Sequence, residues 1–361
     1  MTKPPSPIKG RGTPSRPEGR FESFRREAFD DGWSPQMEDD AEPGPATTVT
    51  AEPARSIISR NQSPDIPFAQ SINPYRGCEH GCIYCYARPS HAYLNLSPGL
   101  DFETKIFYKA RAAELLDQEL RKPGYRCAPI TLGANTDPYQ PVERKLRVTR
   151  SLLEVMQRFG QPASIITKSA LITRDLDILA QMAEQQLVSV MVSVTTLDDD
   201  LKRRLEPRTP GGMTRLKTVR ALADAGIPVG VLVAPIIPMV NDDELEKIIE
   251  HAAEAGARGT GYVLLRLPYE VKDMFREWLQ THLPLRAEHV MSVIRQSRGG
   301  KDYDARFGVR MRGSGEFAEL IAQRFQLACK RAGLLQGRRL TLATGHFKVP
   351  PVAGQIGFEF S

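Results

Sequence analysis

No apolar run in this chain is long enough to span a membrane, and its N-terminus lacks the apolar core of a secretory signal. The expectation is a cytoplasmic protein with no membrane partner. Cysteine is scarce: there are five in 361 residues, three of them packed into eight positions. Neighbours that close do not easily cross-link distant parts of a fold, so they make a poor disulfide framework. In a reducing compartment such a group points to metal binding or catalysis. Charge of one sign is in small excess only, a net +6, which supports a nucleic-acid or phosphate partner no more than modestly.

What is present is an ordinary globular balance, 41% hydrophobic and 25% charged, in a chain long enough to bury a large core. Residues 1–60 differ from the rest. MTKPPSPIKGRGTPSRPEGR is basic and rich in Pro, Gly and Ser, and FESFRREAFDDGWSPQMEDDAEPGP turns acidic. Without an apolar period this segment cannot offset its ordering entropy, so it reads as a disordered tail, with a short helix around FESFRREAF on binding a partner.

From about residue 61 to 282 short apolar runs alternate with amphipathic segments. FAQSINPY, KIFYKA, APITLGA, ASIITK, LVSVMVSVTT, VGVLVAPII and GTGYVLLRL read as buried strands, each bounded by Gly, Pro or Asn. RSLLEVMQRF places Leu152, Met156 and Phe159 on one helix face. DELEKIIEHAAEAG does the same with Leu245, Ile248, Ile249 and Ala252, and Gly256 suits its C-terminal cap. Strand and helix in alternation predict an α/β fold, a partial or complete (β/α) barrel with its chemistry in the loops after the strands. Residues 283–361 read as a helical extension that includes GEFAELIAQRFQLACKRAG.

Those loops hold Cys78, Cys82 and Cys85 in the spacing C-x3-C-x2-C, then Asn135-Thr136-Asp137, Lys168-Ser169, Thr196-Leu197-Asp198 and Ile237-Pro238. Three soft thiolates suit an iron–sulfur cluster or a zinc ion; zinc would need a fourth ligand, either His80 or a distant residue. His80 and His91 flank the cysteine loop and are placed to tune a cluster by hydrogen bonding. His346 either reaches the same face or is a packed or exposed histidine. The arginines of RFGVRMRG and Arg338-Arg339 either contact phosphates or form a solvated surface. Cys127 precedes a strand, and Cys329 shares a helix stripe with Ile321 and Phe325.

The cysteine spacing, with Tyr84 just before the last cysteine, resembles the radical S-adenosylmethionine (SAM) superfamily. GANTDPYQPVE, IITKSALITRDLDIL, VSVTTLDDDLKRRLEPRTP and AGIPVGVLVAPIIP resemble the branch containing spore photoproduct lyase. The resemblance implies a 4Fe–4S cluster ligated by Cys78, Cys82 and Cys85, whose open iron binds S-adenosyl-L-methionine. It also implies reductive cleavage of SAM to a 5′-deoxyadenosyl radical that abstracts hydrogen from a substrate. By the same carry-over Thr136 and Asp137 hold the methionine amino group, Lys168 the carboxylate or ribose oxygens, Ser193 the carboxylate or ribose, and Ala234 the adenine. An electron donor such as flavodoxin or ferredoxin is implied, and the lyase-like motifs make DNA or RNA a candidate for the otherwise unknown substrate.

One position departs from that branch. Where the lyase carries its hydrogen-donor cysteine, this chain has Asn135, whose N–H bond is far stronger than S–H, so photoproduct repair is not assigned. The substrate and the catalytic side chains stay unknown. The competing reading is a non-catalytic protein, stabilised by zinc or an iron–sulfur cluster, that serves binding or assembly.

Overall fold

The computed structural model describes residues 7–21, 46–336 and 341–351. Among the described residues eleven strands are numbered in chain order: β1 Thr48–Ala51, β2 Ser59–Arg60, β3 Gln70–Ile72, β4 Tyr75–Arg76, β5 Lys105–Tyr108 and β6 Ile130–Leu132, then β7 Ala163–Thr167, β8 Val188–Val194, β9 Val229–Ile236, β10 Gly259–Leu264 and β11 Leu335–Gln336.

Val188, Val190, Val192 and Val194 are all fully buried, which marks β8 as an interior strand of a sheet covered by helices. That sheet runs β11-β10-β9-β8-β7-β6-β3-β2, parallel except at β2, which pairs antiparallel with β3. Among the described residues β2 and β11 are the edges of this sheet, and no pairing closes it into a barrel. The helices Val148–Phe159 and Leu245–Glu254 bury the predicted faces, Leu152, Met156 and Phe159 in one and Leu245, Ile248, Ile249 and Ala252 in the other. Gly256 follows the second helix at φ +87°, the left-handed conformation that ends helices at glycine. No helix among the described residues is long and apolar enough to cross a membrane.

Three expectations change. FAQSINPY is two strands, since β4 leaves the main sheet and pairs antiparallel with β5. KIFYKA is not a strand of the main sheet: β5 lies between β1 and β4 in a separate three-stranded sheet. Finally, parts of the N-terminal segment are packed. Thr13 and Ile57 are buried and β1 pairs with β5, because backbone hydrogen bonds hold what apolar patterning does not. The helix proposed around FESFRREAF lies outside the described residues apart from Phe21.

The C-terminal part contributes the helices Ala287–Gln296 and Glu316–Ala332 and also the edge strand β11 of the main sheet. Cys329 is buried with Ile321 and Phe325 in the core, as its helix stripe predicts.

Candidate cofactor site at the C-terminal ends of the strands

The cysteine loop follows β4 and is fixed by side chains that grip its backbone. Gln140, after β6, accepts from the Glu79 N–H at 2.9 Å and donates to the Gly77 carbonyl at 3.1 Å. The Arg88 guanidinium donates to the carbonyls of Cys82 (2.9 Å) and Gly81 (3.2 Å), and pairs with the buried Glu103 carboxylate. Gly81 turns the loop at φ +68°, where a Cβ would lie 2.7 Å from Glu103 Oε2, so the turn requires glycine.

Cys78 and Cys82 are buried, Cys85 is half-buried, and all three are free thiols. Burial pushes the Cys78 thiol well up, with Asp137 and the other two sulfurs adding to it. Burial and then Glu206 push Cys82 up. Cys78 and Cys82 thus feel the neighbouring sulfurs, and a positive metal is what would stabilise their thiolates. The His80 N–H donates towards the Cys78 sulfur, a bond of the type that tunes a cluster.

No three His, Cys, Asp or Glu side chains among the described residues are grouped to hold a metal ion. A cube spreads its irons apart, so its ligands need not converge on one point. The donor set of three soft sulfurs therefore fits a cluster better than a single closed zinc ion. His80, the zinc reading's fourth ligand, has its Nδ1 3.4 Å from Asp137 Oδ2.

Asp137 ties three loops together. Its Oδ1 accepts from Thr167 Oγ1 at 2.7 Å and from the Tyr139 N–H at 2.9 Å, while Oδ2 accepts from the Lys168 N–H at 2.7 Å. Burial alone would raise this carboxyl; His80 and these donors override burial and hold it at about 2. Thr136 is buried and spends its hydroxyl proton on the Tyr75 carbonyl. Lys168 Nζ sits 5.9 Å from the Tyr84 ring centre, close enough to Cys82 and Glu206 to influence both. Ser193 is buried on β8, with its carbonyl taken by Arg215. The Ala234 carbonyl on β9 lies 3.0 Å from Thr195 Oγ1. The fold thus brings Thr136, Asp137 and Lys168 to the cysteine loop; Ser193 and Ala234 come from β8 and β9, the next two strands of the sheet after β7.

Sequence reasoning missed the charged layer under the loop. Glu206 accepts from Thr195 Oγ1 at 2.8 Å, from the Tyr84 hydroxyl and from Arg215. Burial opposes its ionisation, but Arg215 and Lys168 hold it at about 2. The signal was in LEPRTPGGMTR: a carboxylate and a guanidinium nine residues apart, each in a segment that otherwise reads as surface. Tyr86 was missed as well. Its hydroxyl donates to the Ala134 carbonyl, beside Asn135, and Arg266, just beyond β10, covers its ring at 4.8 Å.

His91 supports the loop, its Nε2 3.0 Å from the Lys105 carbonyl, and burial lowers its pKa to about 4. His346 is exposed, and its carbonyl lies against Gly160 at the end of the helix Val148–Phe159 that leads into β7, away from the strands' C-terminal ends. Cys127 contacts Gln161 at 3.6 Å ahead of β6. Of the arginines in RFGVRMRG, Arg306 pairs with Asp304 and Arg310 with Asp65; Arg338-Arg339 lie outside the described residues.

The family model for the radical SAM superfamily matches residues 72–252. An uncharacterised protein of Mycobacterium tuberculosis is 39% identical over 216 residues, 59% of this chain and 64% of the relative. Another, from Methanocaldococcus jannaschii, is 28% identical over 173 residues, covering 48% and 62%. The chain therefore matches less than two thirds of the length of these curated relatives. Among solved structures, a single-residue variant of spore photoproduct lyase aligns with a TM-score of 0.56 at 15% identity, covering 84% of this chain and 88% of that one. Spore photoproduct lyase complexed with dinucleoside spore photoproduct aligns at 0.52 and 14% identity, covering 81% and 85%. At these identities the likeness is one of fold.

Proposed function

Because the chain belongs to the radical SAM superfamily, we propose that it is an enzyme that cleaves S-adenosyl-L-methionine reductively and uses the resulting radical on a nucleic-acid substrate. The observation that carries the reading is the convergence of three buried or half-buried, mutually interacting thiols with Asp137 and Lys168 where the strands end. Cys78, Cys82 and Cys85 hold a 4Fe–4S cluster, which when bound supplies one electron to the SAM sulfonium.

The chain's own groups bind and orient. The ionised Asp137 carboxylate is the acceptor for the cationic methionine amino group in this reading, and Thr136, whose hydroxyl proton is spent on the Tyr75 carbonyl, offers its lone pairs for the same purpose. Lys168 offers a point charge to a carboxylate or ribose oxygen. Ser193 supplies a hydroxyl to the carboxylate or ribose, and the small Ala234 lets adenine approach the backbone of β9. Asn135 cannot return a hydrogen atom as a thiol does, so photoproduct repair is not the proposed reaction; one fold serves many reactions.

Nucleic acid is supported by the net charge of +6 and by the pairing of Arg266 with Tyr86 next to Cys85, an arginine and an aromatic ring of the kind that receives a phosphate and a base. The electron comes from a flavodoxin- or ferredoxin-type donor. The test is 5′-deoxyadenosine formation by the reconstituted protein, with and without DNA and RNA oligonucleotides. Stimulation by an oligonucleotide, weakening as salt rises, is the expected result; SAM cleavage with no oligonucleotide effect and no binding at low salt overturns the substrate class.

A further inference from the structure

Residues 11–20 lie far outside the segment that matches the family, yet they pack against the rear of the cysteine loop. We infer that they form a strap that positions this loop for its cofactor, acting through Glu103 and Arg88; the inference rests on the cluster reading above.

The Gly12 N–H donates to Glu103 Oε2 at 3.0 Å, and Arg11 Nη1 donates to the Glu103 carbonyl at 3.1 Å. The other Glu103 oxygen holds Arg88, which in turn holds the carbonyls of Gly81 and Cys82. One line of bonds thus runs from Gly12 to the carbonyl of a cluster ligand. The approach is also a steric fit: a Cβ on Gly12 would lie 1.7 Å from the Gly81 oxygen, so only glycine lets the strap lie this close.

The strap is fastened along its length. The Ser15 carbonyl accepts from the Leu100 N–H at 3.1 Å and the Pro17 carbonyl from Ser97 Oγ at 2.6 Å. At its end Arg20 pairs with Glu270 at 2.9 Å and lies 3.7 Å over the Tyr269 ring. It therefore bridges the cysteine loop and the segment after β10. Glu103 is fully buried. Removing the Gly12 donor leaves one of its oxygens unsatisfied and frees Arg88 to re-aim, which loosens the loop backbone at Gly81 and Cys82.

Two full-length-derived variants test this: Gly12→Val, which forces the strap off, and deletion of residues 1–20, which removes it without introducing overlap. Hydrogen exchange of residues 78–88 is followed in the apoprotein, and the bleaching of the reconstituted cluster in air is followed in parallel. Both variants are expected to exchange this loop about tenfold faster, the loss of roughly one hydrogen bond to a charged group, and to bleach faster by a similar factor. The helix Leu245–Glu254 should exchange at the wild-type rate. Unchanged loop exchange in the deletion variant overturns the strap, as does faster exchange throughout the protein, which would make the segment a general stabiliser. If the wild type takes up no iron, the cluster reading fails, and exchange in the apoprotein still decides the strap.

Discussion

Glu206 and Arg215 form an ion pair sealed beneath the cysteine loop, with side chains 0% and 1% exposed. The pair fills its remaining capacity locally. Arg215 also donates to the Ser193 and Pro210 carbonyls, and Glu206 accepts from Tyr84, the residue before Cys85. Removing one partner leaves a buried charge uncompensated, the costly case for such pairs.

Arg215→Met is therefore expected to destabilise the apoprotein by about 3–5 kcal/mol in urea unfolding. The double variant Arg215→Met with Glu206→Leu should recover much of that loss. A single-variant loss below about 1 kcal/mol, the size of an exposed pair, would contradict the sealed geometry.

The five cysteines separate into two groups. Alanine at Cys78, Cys82 or Cys85 should abolish retention of iron and sulfide after reconstitution. Alanine at Cys127, which precedes β6, or at Cys329, in the core, should leave cluster loading at the wild-type level. Iron and sulfide analysis decides it, and loss of cluster in Cys329→Ala with a folded core would count against the three-cysteine set.

Asp137 predicts a pH signature. Its folded carboxyl sits at about 2, below the ordinary 3.8, so its ionised form stabilises the fold above pH 4 and that contribution fades as pH falls towards 2. The difference amounts to about 2 kcal/mol. Asp137→Asn should be less stable than wild type at pH 7, with the gap closing as pH falls through that window. A gap that stays constant from pH 6 to pH 2.5 would contradict the assignment.

The elements that bury apolar faces were readable because period and burial coincide. The runs at β7 to β10 and the stripes of Leu152 with Met156 and of Ile248 with Ala252 needed no tertiary information. The side sheet was not readable: β1 is exposed along its length and exists through backbone pairing to β5, which leaves no side-chain pattern. The strap was hidden for the same reason, since its Pro, Gly and Ser composition suggests disorder while its order comes from the Gly12 and Ser15 backbones and the shape at Gly12. At the site, the thiols were visible through their spacing. Glu206, Arg215 and Gln140 were not, because a long-range polar contact has no local signature.

Lys168 should separate SAM binding from cluster binding. Lys168→Met removes a point charge beside Cys82 and Glu206 without touching the backbone bond to Asp137. Cluster loading is expected to persist while the apparent affinity for SAM falls about tenfold or more, or at least ~1.4 kcal/mol. A titration of the reduced cluster's paramagnetic signal with SAM reads this, and an unchanged midpoint would remove Lys168 from the SAM site.

The most direct measurement is electron paramagnetic resonance of the anaerobically reconstituted, reduced protein with and without SAM, alongside a 5′-deoxyadenosine assay and a Cys78→Ala control. A cluster signal that shifts on SAM addition, with 5′-deoxyadenosine formed by the wild type and not by the control, is the predicted result. Bound zinc, or a cluster whose signal ignores SAM, would contradict the account and leave a metal-stabilised binding protein in its place.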